Sequence, residues 1–361
     1  MATIGLDATY TLGARPTGIA TYSRRLIESL AALETAHRFV VCYRLSRWSR
    51  RREFLRLPGC PVRLVQRPLT FWLPWQVDLF HSMAQRPPAM RFRREVVTVH
   101  DAFPITGLDY STPEFQRRFS ALLREAVARA ALVITVSRYT AQQLEIHCGV
   151  EAARLRVIPC GVDEPARTLT PEERLRERER LVGQGNEMLL SVGNLETRKN
   201  VVNALGALAL LPERYRLVLV GGDGYGAEAI HACISKLGLE RRVVRLGFAP
   251  AERLPALYQA ASALLFPSLE EGFGFPVLEA MANGLPVVTS QTSSLGEVGG
   301  DAALYVAPTD VRGIAEQTVR AVEDCGVRRE LIEKGRARAR QFTWKRAAEA
   351  VLEVYEEALG G

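Results

Sequence analysis

Short apolar runs alternate with helix-period stretches along the whole chain, and no other feature limits its fold as sharply. In the first half the runs are TIGLD (3–7), RFVVCY (38–43), VRLV (62–65), DLFHS (78–82), EVVTVHD (95–101), LVITVS (132–137) and LRVIP (155–159). Stretches such as PEFQRRFSALLREAVARA (113–130) separate several of them. The pattern restarts with MLLSVG (188–193), RLVLVGG (216–222), RVVRLG (242–247), ALLFPS (263–268), PVVTS (286–290) and AALYVAP (302–308). Apolar strands of this length, spaced by helices, predict parallel sheets covered on both faces. The polar span CGVDEPARTLT and PEERLRERERLVGQG between the two series reads as a linker and the start of a second unit. At 361 residues and 47% hydrophobic content the chain can fill two cores. The expected fold is α/β, with two doubly wound Rossmann-like domains at 1–163 and 164–341. Ligands of open α/β sheets sit beyond the carboxyl ends of the strands, so the site is expected in a cleft between these domains.

Several classes fall away. No run of about 18 apolar residues exists to span a membrane. The start, MATIGLDATYTLG, lacks a basic region followed by an apolar one, so no secretory signal is expected and the protein reads as cytoplasmic. Six scattered cysteines without a Cys-x-x-Cys pair suit reduced thiols better than disulfides or a zinc site. Neither half follows its first strand with a Gly-x-Gly-x-x-Gly fingerprint, and there is no Walker loop. None of the nine aspartates stands two residues from another, so no Asp-x-Asp exists to hold a metal-bound nucleotide diphosphate. No metal site is expected.

Chemistry concentrates in FPSLEEGFGFPVLEAMANGLPVVTS (266–290), where Glu271 and Glu279 stand eight positions apart in an otherwise apolar segment. FPS ends a strand, EEGFG is a turn, and Pro276 suits the first position of a helix. Gly272 and Gly274 let backbone approach a ligand closely. The N–H groups from Gly274 to Val277 are expected to open a helix N-terminus, a seat for phosphate. Glu279, one turn in, leans back toward that end, where a carboxylate can accept two hydrogen bonds from a ribose diol. A second motif, SVGNLETRKN (191–200), puts Arg198 and Lys199 where a helix is expected to begin. Cations there oppose the helix dipole and point to a counter-anion such as a diphosphate. In VVTVHDAFPI (96–105) an apolar strand ends at His100-Asp101, which places the histidine at the cleft. GARPTGIATYSRRL (13–26) follows the first strand and can present Gly13 and Gly18 to a diphosphate or acceptor, with Arg15 as a candidate cleft cation.

The stretch EGFGFPVLEAMANGLPVV resembles, almost throughout, the Glu-x7-Glu signature of the retaining glycosyltransferases of family 4, enzymes of the GT-B fold. The resemblance implies that Glu271 contacts the donor sugar and Glu279 the nucleotide ribose, with Gly272, Phe273, Gly274, Phe275 and Pro276 lying along the phosphates. SVGNLETRKN is similar to the family's diphosphate-binding segment, implying donor contacts from Gly193, Asn194, Arg198 and Lys199. Many members carry Arg where Asn194 stands. His100 matches the family's His-Asp loop, whose histidine reaches the sugar near the anomeric centre, with Asp101 as its neighbour on the acceptor side. The Thr17-Gly18-Ile19 loop resembles that of mannosyltransferases, although Ala20 replaces a second glycine. RLGFAPAERLPALYQAA (245–261) is similar to the loop beside the base, implying recognition by the Gly247-Phe248 backbone. FTWKRAAEAVLEVYEEAL (342–359) is amphipathic, and in this fold residues 342–361 cross back to the first domain.

The resemblance implies transfer of a hexose from a nucleotide sugar with retention and without metal or cofactor, through a front-face mechanism. GDP-mannose is the preferred donor, and UDP-glucose, UDP-N-acetylglucosamine and dTDP-rhamnose stay open. A sugar-nucleotide epimerase would need acid/base carboxylates on both cleft faces, which the sequence does not identify. A phosphorylase would need a lysine for pyridoxal phosphate, and none of the four lysines sits in a fitting context. A non-catalytic nucleotide-binding module stays open. Charge separates the halves: residues 1–163 hold 23 Arg and no Lys against 13 acids, a net of +10, and the remainder is −3. RLSRWSRRREFLRL (44–57) concentrates it at Arg47, Trp48, Arg50, Arg51 and Arg52, with Phe54 and Leu55 among the arginines. No nucleic-acid motif accompanies the charge, so no nucleic-acid partner is expected. Either this is a solvated face or it meets anionic headgroups at the inner face of the cytoplasmic membrane. The FWLPW segment around Trp72 and Trp75 fits the second reading and a lipid-linked saccharide acceptor, as in cell-surface polysaccharide or O-antigen assembly.

Overall fold

The computed structural model describes residues 1–12, 17–66, 70, 72–106 and 109–360. Arg15 and Gly13 lie outside the described residues. The chain divides into two compact units, one of Met1–Leu108, Pro113–Gly161 and Phe342–Gly361, the other of Asp109–Thr112 and Val162–Gln341.

The first unit carries β1 (Thr3–Asp7), β2 (Arg38–Arg44), β3 (Val62–Val65), β4 (Leu79–Ser82), β5 (Glu95–Val99), β6 (Leu132–Thr135) and β7 (Leu155–Val157). They form one parallel sheet ordered β3-β2-β1-β4-β5-β6-β7. Ile4 of β1 sits opposite Phe39 and Leu79, so the order reverses direction between β1 and β4. Helices on its faces bury apolar stripes, as where Phe119, Leu123 and Val127 meet Val97 and Val133. The C-terminal helix Trp344–Gly360 lies along the first helix, Gly18–Ala31. Its buried stripe is Ala347, Val351, Val354, Tyr355 and Ala358. A Cβ on Gly161 would strike the Trp344 backbone, so glycine allows the close approach there.

The second unit carries β8 (Glu187–Val192), β9 (Tyr215–Val220), β10 (Val243–Gly247), β11 (Ala263–Phe266), β12 (Val287–Ser290) and β13 (Leu304–Val306). This parallel sheet is ordered β10-β9-β8-β11-β12-β13, with its reversal between β8 and β11. Two doubly wound α/β units therefore stand as expected from the alternation.

Two boundaries differ from expectation. The span expected as linker, PEERLRERERLV, is the helix Pro171–Val182. Thr170 and Glu173 form a reciprocal capping box, the Glu173 N–H donating to Thr170 Oγ1 at 3.3 Å and the Thr170 N–H to Glu173 Oε2 at 2.9 Å. Arg178 fastens this helix by donating to the Ala260 carbonyl at 2.9 Å. The second departure is Asp109–Thr112, which clusters with the second unit, where Tyr225 Oη donates to Asp109 Oδ1 at 2.9 Å.

Candidate functional site

In the second unit the carboxyl ends of β8 and β11 lie side by side at the reversal of strand order, the position where open α/β sheets leave a crevice. β8 delivers Gly193 and the loop to Lys199, and β11 delivers Ser268 and the turn to Gly274. Two motifs some seventy residues apart in sequence therefore meet. Arg198 Nη1 donates to Glu271 Oε2 at 2.9 Å and to the Glu270 carbonyl at 2.6 Å. Lys199 Nζ donates to Glu271 Oε1 at 2.6 Å, and the Ser268 hydroxyl donates to the same oxygen at 2.7 Å. Lys199 also sits 5.0 Å above the Phe266 ring.

Arg198 and Glu271 are buried. Burial raises the Glu271 carboxyl, but the Arg198 and Lys199 charges outweigh it and hold the group down at about 2. For Lys199 burial prevails, and its ammonium stays below the ordinary value against the pull of Glu271. The carboxylate is thus ionised and shared between two cations, and Glu196 Oε2, 3.5 Å from Arg198 Nη2, supplies a second negative charge.

The two cations do not open a helix as expected. They lie in a 3₁₀ turn, Thr197–Lys199, and the helix Val201–Leu210 starts only after Asn200. Asn200 takes a left-handed conformation (φ 57°), held because its side-chain amide donates to the Pro267 carbonyl at 2.8 Å and the Pro308 carbonyl at 2.7 Å. The counter-charge that the pair called for is supplied within the protein by Glu271. Asn194 is exposed, its side-chain amide 3.3 Å from Glu196 Oε1, and Gly193 has φ 137°.

Beyond β11, Gly274 (φ 112°) caps the helix Phe275–Ala282, so Pro276 is the second helical residue and not the first. Pro276 has no N–H, and the Val277 N–H donates to the Gly274 carbonyl at 3.0 Å, which removes those two positions from the expected anion seat. Gly272 and Phe273 are buried in the turn, and the Phe273 and Phe275 rings meet edge to face at 5.3 Å. Glu279, half-buried in the second turn of the helix, accepts from Tyr258 Oη at 2.7 Å. Burial raises the Glu279 carboxyl, Tyr258 opposes it, and Asp163 reinforces it with like charge. The two glutamates are driven in opposite directions, Glu271 downward by its two cations and Glu279 upward by burial. Gly247 (φ 64°) ends β10 on the same carboxyl edge, followed by exposed Phe248.

In the first unit His100 is buried just past β5 and donates from Nε2 to the Met83 carbonyl at 2.8 Å. Burial lowers its imidazole to about 4, so it is neutral at pH 7 with Nδ1 as acceptor. Asp101 follows, half-buried. Gly18 begins its helix, capped by Thr17, whose hydroxyl accepts from the Ala20 N–H at 3.4 Å.

Arg47, Trp48, Arg50, Arg51 and Arg52 lie in the kinked 3₁₀ segment Leu45–Glu53. Trp48 is half exposed with the Arg51 guanidinium 5.2 Å over its ring, and Arg50 donates to Glu53 at 2.9 Å. Phe54 and Leu55 are buried instead, Phe54 stacked on Tyr43 at 3.9 Å, so Trp48 is the exposed aromatic of this segment. Trp75 is exposed.

Residues that the motifs did not flag complete the site. The Ser293 hydroxyl accepts from the Glu271 N–H at 2.9 Å, and Ser294 donates to the Glu271 and Phe273 carbonyls, each at 2.8 Å. Ser293 has φ 54°, an uncommon conformation for a non-glycine residue, in the loop that cradles the turn. The serine-rich QTSS after the PVVTS strand was the available signal, and Tyr258, the partner of Glu279, had none beyond its position in ALYQAA.

Comparison with known proteins gives consistent findings. A family model described as glycosyl transferases group 1 matches residues 173–338, and one described as glycosyltransferase family 4 matches residues 16–164. O-antigen chain mannosyltransferase B of Escherichia coli is 33% identical over 272 residues, covering 74% of this chain and 71% of that protein. The serotype-specific mannosyltransferase WbdA of Escherichia coli is 29% identical over 275 residues, 74% of this chain but 34% of WbdA, so the chain spans about a third of that relative. HepE of Anabaena, solved in complex with UDP and glucose, has a TM-score of 0.78 at 20% identity, covering 99% of this chain and 100% of that one. At that identity the likeness shows the fold.

Proposed function

The chain belongs to the group 1, family 4 glycosyltransferases of the GT-B fold, and from that premise we propose that it transfers mannose from GDP-mannose to a saccharide acceptor with retention. The observation that carries the donor site is the meeting of Glu271 with Arg198 and Lys199 at the reversal of strand order. In this reading the diphosphate takes over the charge of Arg198 and Lys199, freeing Glu271 for hydroxyls of the donor sugar. Glu279, aimed by Tyr258, accepts from the ribose diol. Gly193, Asn194 and the turn from Gly272 to Pro276 border the phosphates, Gly247-Phe248 borders the base, and Gly18 is a further donor-binding residue.

The C1–O bond to the diphosphate breaks with its electron pair passing to the leaving oxygen. The acceptor hydroxyl forms the new bond on the same face and gives its proton to that oxygen. Arg198 and Lys199 stabilise the developing charge, so no metal is invoked. His100 accepts a sugar hydroxyl through Nδ1, with Asp101 beside the acceptor. Mannose is supported by the names of the two Escherichia coli relatives, and the first, an O-antigen chain enzyme, supports a role in O-antigen synthesis, for which a lipid-linked acceptor is part of this proposal. Arg47, Trp48, Arg51 and Arg52 then meet anionic lipid, keeping the enzyme peripheral at the membrane. A second reading is a UDP- or dTDP-sugar donor, and HepE, a protein of the same fold, was solved with UDP and glucose.

Thermal-shift measurements with GDP, UDP and dTDP, followed by product NMR with the matching sugars, test the proposal. A nucleotide at 100 times its Kd stabilises by about 2.7 kcal/mol. Stabilisation by UDP or dTDP and not GDP would establish the second reading, and no stabilisation by any would sink the donor site. Donor turnover without an acceptor requirement would identify an epimerase, and binding without turnover a non-catalytic module. An inverted product would refute retention. Flotation with vesicles of phosphatidylglycerol tests the membrane contact, and binding equal to that of neutral vesicles would remove it.

A further inference from the structure

A chain of four buried polar side chains crosses the first unit and ends against His100. Tyr355 Oη, on the C-terminal helix, is hydrogen-bonded to His81 Nδ1 on β4 at 2.6 Å. His81 Nε2 is bonded to Thr98 Oγ1 on β5 at 2.8 Å, and Thr98 Oγ1 to Tyr22 Oη on the first helix at 3.0 Å. All four are sealed from water, so each bond is costly to leave unmade. Burial, helped by His100, drives the His81 imidazole down to about 3, and a neutral ring donates through one nitrogen and accepts through the other. The chain is therefore directional through His81, and it fixes where the Tyr22 hydroxyl lies.

Tyr22 is the outcome of that fixing. Its ring meets His100 edge to face, with centroids 4.6 Å apart and planes at 82°. It also meets Trp344, the first residue of the C-terminal helix, at 6.1 Å and 65°. Among the described residues the His100 ring is fastened by one hydrogen bond, to the Met83 carbonyl. A ring held at one atom can pivot about it, and the Tyr22 ring blocks that motion. Apolar side chains of the same shape would fill this core at little cost to stability, so the polar chain asks for a role beyond packing.

We propose that Tyr22 is a positioning residue for His100, and that the docked C-terminal helix, through Tyr355–His81–Thr98 and Trp344, sets the orientation in which His100 meets the donor. This rests on the reading of His100 as a group that reaches the donor sugar. Tyr22→Leu removes the ring contact, whereas Tyr22→Phe and Tyr355→Phe keep the rings and cut the chain at either end.

Each substitution is made in the wild-type chain and in His100→Ala, with kcat and KM measured on whichever of GDP-mannose, UDP-glucose, UDP-N-acetylglucosamine and dTDP-rhamnose the wild-type chain turns over. Tyr22→Leu is expected to lower kcat on the order of 100-fold, the cost of a misplaced reacting group, with donor KM little changed. Tyr22→Phe and Tyr355→Phe lower it less, in the same direction. None of the three has a further effect once His100 is alanine, because coupled residues are not additive. Losses of equal size in both backgrounds, or no loss in wild type, overturn the proposal while leaving His100 in its role. An unchanged kcat in His100→Ala alone removes the role of His100 and the proposal with it. Should Tyr22→Leu not fold, the two phenylalanine variants decide the matter by the same cycle.

Discussion

Replacing Glu271 by Gln should destabilise the second unit, whereas the same change at Glu279 should not. The Glu271 carboxyl is held at about 2 against an ordinary 4.5, and it is 6% exposed, so solvent screening is slight. At 1.36 kcal/mol for each tenfold change, the ionised state contributes about 3 kcal/mol. Glu271→Gln removes that charge, leaving Lys199 without its carboxylate and Arg198 with Glu196 alone, and breaking a buried pair costs about 3–5 kcal/mol in comparable cases. The group is depressed, so its contribution is fully present above pH 4.5 and is lost as pH falls toward 2. By pH 3.5 about 1 kcal/mol has gone. Glu279 is raised, so removing its charge relieves a burial penalty, and Glu279→Gln is expected to be neutral or slightly stabilising. The assay is urea unfolding of both variants at pH 7 and pH 4, followed by fluorescence and circular dichroism so that the two units can be told apart. A Glu271→Gln loss below about 1 kcal/mol at pH 7, or an equal loss at Glu279, would falsify the reasoning.

Other outcomes follow from neighbouring contacts. Lys199→Ala should lower the transfer rate by about 100- to 1000-fold, as loss of a preorganised charge does, and a change below about tenfold would refute its role. Tyr258→Phe removes the hydroxyl that aims Glu279, so donor KM should rise by about tenfold with kcat nearly kept, readable in steady-state kinetics. His100 is lowered to about 4 by burial and stays neutral above pH 5, so kcat between pH 5.5 and 7 should show no ionisation belonging to it. An ionisation near 6.5 that vanishes in His100→Ala would contradict this. Gly274→Ala forces a side chain into φ 112° with its Cβ 2.8 Å from Leu295 Cδ2, which should cost about 1–3 kcal/mol in thermal unfolding.

What was legible in the sequence depended on whether the signal was local. Thr3–Asp7 and Val62–Val65 form strands at the bounds that their runs predict, the first buried from Ile4 to Asp7 inside the sheet and the second at its edge with Arg63 exposed. PEERLRERERLV misleads instead. A helix touching the core on a narrow stripe has the polarity of a linker, and only Thr170 and Glu173 mark it as capped. Phe54 and Leu55 stand among arginines, yet the 3₁₀ segment ends just before them and turns both into the core beside Tyr43. Arg198 and Lys199 looked in need of an external anion because the carboxylate that meets them comes from the turn after β11. No spacing rule within either motif could pair them. The order β10-β9-β8-β11-β12-β13 does so, by setting the ends of β8 and β11 side by side.

That pairing alters the meaning of the eight-residue spacing between the two glutamates. Spacing alone makes them equivalent carboxylates at two ends of one ligand. Their surroundings make them different instruments. Glu271 is already engaged by two cations and a hydroxyl, so a ligand must compete for those partners. A dianionic diphosphate is suited to that competition, because it offers Arg198 and Lys199 more charge than one carboxylate does. An uncharged sugar is not. Among the described residues the Glu279 carboxylate has one hydrogen-bond partner, Tyr258, and it is raised by burial, so hydroxyl donors from a neutral diol relieve its penalty without displacing a cation. On this reasoning phosphate must bind before Glu271 is released to the sugar, so a free hexose should have no measurable affinity without the nucleotide. Calorimetry with mannose alone and with mannose in saturating GDP tests this order. Equal binding in both would mean that the cluster does not gate the sugar.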